Sequence, residues 1–169
     1  MLEITDTSDL PALSATAVAI GKFDGLHLGH QQLLHELVEY AHESQLVPAV
    51  ITFDRHPKAL LDPEHCPRPL IGPKQKAQLM LEAGVEVLLT LPFTAELASL
   101  SPKAFIEKVI APLGAQMIFV GQGFRFGSHG SGTIEDLREH GPEFGFRVRE
   151  VANVAVSYTH LRAHETEAD

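Results

Sequence analysis

Two histidines three residues apart, His27 and His30, lie within "GKFDGLHLGH" (residues 21–30), where Gly21, Gly25 and Gly29 punctuate the chain just after an apolar run. Imidazoles donate hydrogen bonds and, when protonated, carry charge. A pair of them at a helix start suits neutralisation of charge that builds on a phosphate during transfer. Glycines open backbone conformations closed to other residues and let a ligand approach the helix start. There, unpaired N–H groups and the positive dipole end favour anions. A second glycine-rich stretch, "GQGFRFGSHGSGT" (121–133), sets Arg125 between Phe124 and Phe126. That arrangement suits a phosphate or the face of a ring. Metal ligation is the weaker reading of the histidine pair: no cysteine lies near, no HExxH pattern occurs, and zinc wants three or four ligands.

Both stretches need regular elements to hold them. Apolar runs alternate with helical patterns along almost the whole chain. "TAVAIG", "LVPAVITF", "VEVLLTL" and "AQMIFVG" read as buried strands, and "FRVREVANVAV" (146–156) as a fifth with one wetter face. The first two are separated by a helix with Leu33, Leu34, Leu37, Val38 and Ala41 on one stripe. "KQKAQLMLEAG" is a helix stopped by Gly84, and "SPKAFIEKVIAPLG" one with Ser101 as N-cap, Pro102 in its first turn and Gly114 at its end. "TIEDLREHG" closes the series, with Thr133 and Asp136 as a capping box. The rhythm predicts an α/β fold: a doubly wound, five-stranded parallel sheet of Rossmann-like architecture, in the order 3-2-1-4-5. That order sets the carboxyl ends of strands one and four side by side at the topological switch point, where ligands of such sheets bind. The two glycine-rich stretches follow those two strands.

The bulk properties narrow the classes of function. A chain of 169 residues, 44% hydrophobic, fits one globular domain with a core. It has no long apolar run for a membrane span and no basic, apolar leader. A single cysteine, Cys66, excludes an internal disulfide framework and makes a reducing cytoplasm the expected location. A formal net charge of -9 argues against a general nucleic-acid binder but leaves room for a small anionic substrate.

"GKFDGLHLGH" closely resembles the G-x-F-D-G-x-H-x-G-H signature of bacterial FAD synthetases, the adenylyltransferase half of bifunctional riboflavin kinase/FMN adenylyltransferase proteins. Its "HLGH" is similar to the H-x-G-H element of the wider nucleotidyltransferase superfamily. "TFDRHP", "GVEVLLTLPF" and "VGQGFRFG" resemble further elements of that family, in order and at matching spacing across residues 1 to 156. The resemblance implies that His27 and His30 contact the ATP phosphates and stabilise the transition state. It implies that Gly21, Phe23, Asp24, Gly25 and Gly29 form the loop around the nucleotide, and that Gly123, Phe124, Arg125 and Gly127 lie near ATP. Phe53, Asp54, His56 and Pro57, with Phe126, fall on the flavin side. Two departures stand out. Gly123 replaces the Asp or Asn usual in the family, and "SYTHLR" only loosely echoes the family's triphosphate-gripping S-S-T-x-I-R, aligning Ser157, Thr159 and Arg162. Residues 1–156 are therefore expected to form the FMN adenylyltransferase domain. Residues 157–169 are expected to be a foreign or disordered tail at a truncated end, without the riboflavin kinase domain of full-length relatives.

The activity implied is transfer of the adenylyl group of ATP to FMN, giving FAD and pyrophosphate, with Mg²⁺ carried on the phosphates and no protein metal ligand identified. Two alternatives remain at this level. One is adenylylation of another phosphomonoester, such as phosphopantetheine or nicotinamide mononucleotide. The other is a non-catalytic nucleotide- or flavin-binding module.

Overall fold

The computed structural model describes residues 1–5, 15–21, 23, 28–53, 73–92 and 94–152. The expected site residues Asp24, Gly25, His27, Asp54, His56, Pro57, Ser157, Thr159 and Arg162 lie outside them.

Six strands form one wholly parallel sheet in the order β1-β4-β3-β2-β5-β6. They are β1 (Leu2–Ile4), β2 (Thr16–Ile20), β3 (Val47–Phe53), β4 (Val87–Leu91), β5 (Ala115–Gly121) and β6 (Arg147–Val151). The expectation of five strands is thereby corrected. The additional strand, β1, lies at the edge beside β4, with Leu2 opposite Val87 and the Leu2 N–H donating to the Glu86 carbonyl at 2.9 Å. It is three residues long and buries only Ile4, so no apolar pattern announces it. Its strand character comes from long-range pairing. The last strand is also shorter than expected, ending at Val151 with Ala152 beyond it.

Helices cover both faces. They are α1 (Leu28–Ser44), α2 (Pro73–Ala83), the single turn α3 (Ala95–Ala98), α4 (starting as Pro102–Phe105) and α5 (Ile134–Phe144). On one face Leu33, Leu34, Leu37 and Ala41 of α1, with Met80 of α2, pack on Ala17, Ala19, Val50, Leu88, Met117 and Phe119. The other face carries Phe105, Ile106, Val109, Ile110 and Leu113, with Leu137 of α5, against Val18, Ile20, Ile51, Leu89, Ile118 and Val120. Strand β2 is consequently buried along its whole length, as a central parallel strand must be.

Helix α4 begins on Ser101, whose hydroxyl oxygen accepts from the Ala104 N–H at 3.1 Å, widens to a π-helical turn over Ile106–Ile110 and tightens over Ala111–Leu113. Gly114, in the left-handed region at φ 65, ends it. Before α5 the Thr133 N–H donates to the Asp136 carboxylate at 2.8 Å, one half of the expected capping box. That helix outruns its expected stop at Gly141, continuing through Pro142 to Phe144.

Candidate functional site

Strands β2 and β5 are direct neighbours, with Thr16 opposite Ala115 and Ala19 opposite Phe119. Chain direction reverses its sideways progress here: β3 lies on one side of β2 and β5 on the other. This is the topological switch point, and the connections leaving β2 and β5 flank it.

On the β2 side, Gly21 extends the ladder by one residue, its N–H donating to the Ile51 carbonyl at 3.1 Å. Phe23 follows with φ 53, in the left-handed region where an aromatic residue is rarely found. That conformation costs about 1–2 kcal/mol for a residue with a Cβ. The ring is wholly buried among the side chains beneath α1, and such burial is worth roughly 1.5–3 kcal/mol, enough to hold the backbone there. The ring of Phe23 belongs to the core, and its packing there holds the backbone of this connection. Helix α1 then starts at Leu28, with Gly29 and His30 in its first turn. A helix of 17 residues offers unpaired N–H groups and a positive dipole end at that point.

The β5 side is built in more detail. Gly121 closes the strand, and its carbonyl accepts from the Phe124 N–H at 3.3 Å across a tight turn. Gly123 sits in that turn at φ 77. Phe124, half-buried, stacks on Phe126 with centroids 5.7 Å apart and planes inclined by 14°. Phe126 is buried and leans on Phe105 of α4 at 5.4 Å. Its backbone exchanges two hydrogen bonds with Gly132, of 3.1 and 2.7 Å. Arg125, which stands between the two aromatic residues in sequence, is exposed, and its Nη1 donates to the Gly130 carbonyl at 3.3 Å. The connection therefore presents one guanidinium outward and two rings inward. On β3, Phe53 ends the strand half-buried against the core beneath α4 and α5.

Some residues that fix this geometry carried no chemical signal in the sequence. The Ser128 N–H donates to the Leu100 carbonyl at 2.6 Å, and a Cβ on Gly127 would lie 3.2 Å from the Pro102 nitrogen. Gly132 is tighter still, its virtual Cβ 2.7 Å from the Phe126 carbonyl oxygen. Leu100, Pro102 and Gly132 thus clamp the Arg125 connection onto the start of α4. The sequence marks Pro102 as a helix start and nothing more.

A family model described as FAD synthetase matches residues 10–164, a span that runs past Val156 and includes Ser157, Thr159 and Arg162. The chain is 32% identical to the bifunctional riboflavin kinase/FMN adenylyltransferase of Buchnera aphidicola subsp. Schizaphis graminum over 156 residues, 88% of this chain and 50% of that protein. With the protein of the same description from Bacillus subtilis it shares 38% identity over 123 residues, 72% of this chain and 39% of the relative. The chain spans about half the length of the relatives it matches. A crystal structure titled as a macrolide-efflux protein from Streptococcus pneumoniae superposes with a TM-score of 0.77 at 29% identity, over 89% of this chain and 50% of that one. Among the described residues no helix is long and apolar enough to cross a membrane.

Proposed function

The chain belongs to the FAD synthetase family, and from that membership we propose that it transfers the adenylyl group of ATP to FMN. An FMN phosphate oxygen attacks the α-phosphorus of ATP and forms the new phosphoanhydride bond. The bond from that phosphorus to the α,β-bridging oxygen breaks, and pyrophosphate leaves with the electron pair. The attacking phosphate is already ionised near neutral pH, so the protein needs no strong general base. Its task is to align two anionic reactants and to offset the charge that develops between them.

The observation that carries this reading is the pairing of β2 with β5, which brings the connections bearing both family motifs to one seam. In the proposal, His27, His30 and the start of α1 face the triphosphate, with Gly21, Asp24, Gly25 and Gly29 shaping the backbone around it. Gly123, Phe124, Arg125 and Gly127 serve the nucleotide from the β5 side. Phe53, Asp54, His56, Pro57 and Phe126 belong to the flavin side, and Ser157, Thr159 and Arg162 to the triphosphate grip. Magnesium is assigned to the nucleotide. It takes oxygen ligands and keeps several waters, so substrate phosphates are its natural partners. Bound with ATP, it supplies further charge neutralisation on the phosphates. We place the reaction in the cytoplasm, in keeping with a lone cysteine.

The test is direct. The purified chain, given FMN, ATP and Mg²⁺, should form FAD and pyrophosphate in equal amounts. Saturable binding of ATP and FMN with no pyrophosphate would identify a binding module instead. Turnover with phosphopantetheine or nicotinamide mononucleotide in place of FMN would reassign the acceptor.

A further inference from the structure

We infer that Phe23 and Gly21 form an interlocked pair that positions the start of α1, and that Phe23 is a positioning residue for the reaction proposed above, on which its kinetic part rests. Phe23 is the first residue described after the ladder ends at Gly21. Its backbone is left-handed at φ 53 while its ring is wholly buried. The ring folds back over the glycine two residues earlier: a Cβ added to Gly21 would lie 3.2 Å from Cε2 and 3.4 Å from Cζ of Phe23. Gly21 is not among the glycines with positive φ. Its own dihedral would accept a side chain, so it is the seat of the ring that calls for a hydrogen at that position. On the other side the ring joins Leu33, Leu34 and Leu37 of α1, together with Ala17 and Ala19 of β2, in one cluster.

The consequence is mechanical. Gly21 is fixed to β3 by its hydrogen bond to Ile51, and α1 is fixed to the sheet by its apolar stripe. Phe23 lies against Gly21 and shares one buried cluster with that stripe. Its side chain is therefore the peg that sets the backbone turn, and thereby where the first turn of α1 points. Substrate need never touch it.

A double-mutant cycle tests the pair, using Gly21→Ala, Phe23→Leu and the two together in the full chain. Two readouts are taken: kcat and KM for FAD formation, and amide hydrogen exchange at Phe23 and in the first two turns of α1. Gly21→Ala should lower kcat roughly tenfold to a hundredfold, with KM for ATP changed less, because misplacement of a site by fractions of an ångström acts mainly on alignment. It should also speed exchange at those amides. Adding Phe23→Leu, which removes the crowded ring edge, should restore part of both. Losses that simply multiply, with no recovery in exchange, would overturn the pairing, since uncoupled sites are additive. If the wild-type chain forms no FAD, the adenylyl-transfer reading falls while the exchange cycle still decides the pair. If Gly21→Ala fails to fold, the double variant decides it: folding restored by Phe23→Leu supports the pair, and continued failure overturns it.

Discussion

At the scale of single residues, the glycines of the two connections look alike in the sequence and serve different ends in the structure. Gly21 makes room for the ring of Phe23, Gly123 supplies a left-handed turn at φ 77, and Gly127 lies against the Pro102 backbone. Residue type alone announced the connections but could not separate these uses, because Gly21 answers to a ring folded back on it, Gly123 to its own dihedral and Gly127 to the Pro102 backbone far along the chain. Gly123 also bears on the family's preference for Asp or Asn there: after glycine, those two residues tolerate left-handed backbone best. Gly123→Asn should accordingly change folding stability by no more than about 1 kcal/mol, as judged by denaturant unfolding. It should lower KM for ATP by restoring a polar side chain at that turn. For His30, in the first turn of α1, the expected signature is kinetic. His30→Ala should reduce kcat a hundredfold or more with only a modest change in ATP affinity, since a donor aimed at developing charge is worth about 3 kcal/mol. Near-normal turnover in a folded variant, measured by pyrophosphate release, would remove His30 from the reaction.

Secondary-structure elements were legible where periodicity and caps agreed. Of the expected stripe, Leu33, Leu34, Leu37 and Ala41 are buried and Val38 half-buried at its edge, and Ser101 with Gly114 brackets the α4 segment. The π-helical turn over Ile106–Ile110 was not legible. It depends on how Ile106, Val109 and Ile110 settle on the sheet, not on any local residue preference. Strand β1 escaped for the same kind of reason, its partner Val87 lying far along the chain. One local imperfection offers a clean measurement. Helix α1 ends with Gln45 at φ 58, followed by a bond from the Leu46 N–H to the Ala41 carbonyl at 2.8 Å. This closing turn favours glycine. Gln45 is exposed, so Gln45→Gly should stabilise the protein by about 0.5–1 kcal/mol by relieving left-handed strain, seen as a higher denaturant midpoint at unchanged slope. A fall in stability would mean that the Gln45 side chain has an uncounted role.

Over the whole molecule, the alternation of strands and helices carried the architecture, and the seam between β2 and β5 carried the site. Of the residues expected on the flavin side, the described ones are Phe53, at the end of β3, and Phe126, buried against Phe105, and neither placement follows from the motif spacing alone. The FAD synthetase family model takes up residues 10–164 of this chain, so the activity expected of it is adenylyl transfer, and given riboflavin and ATP it is predicted to form no FMN. FMN appearing in a preparation free of host enzyme, detected by chromatography, would contradict this. The same seam also governs the birth of the protein. The Thr16 hydroxyl donates to the Leu113 carbonyl across a separation of 97 residues, and β2 cannot gain β5 as a neighbour until that much more chain has been synthesised. Until then, a nascent chain holding β2, β3 and β4 presents the flank of a strand that the folded protein buries along its whole length as an open edge, the kind that pairs with strangers. The seam on which the proposed chemistry depends thus closes only after β2, β3 and β4 have been made, and a ribosome stalled before residue 115 would display it as an aggregation site.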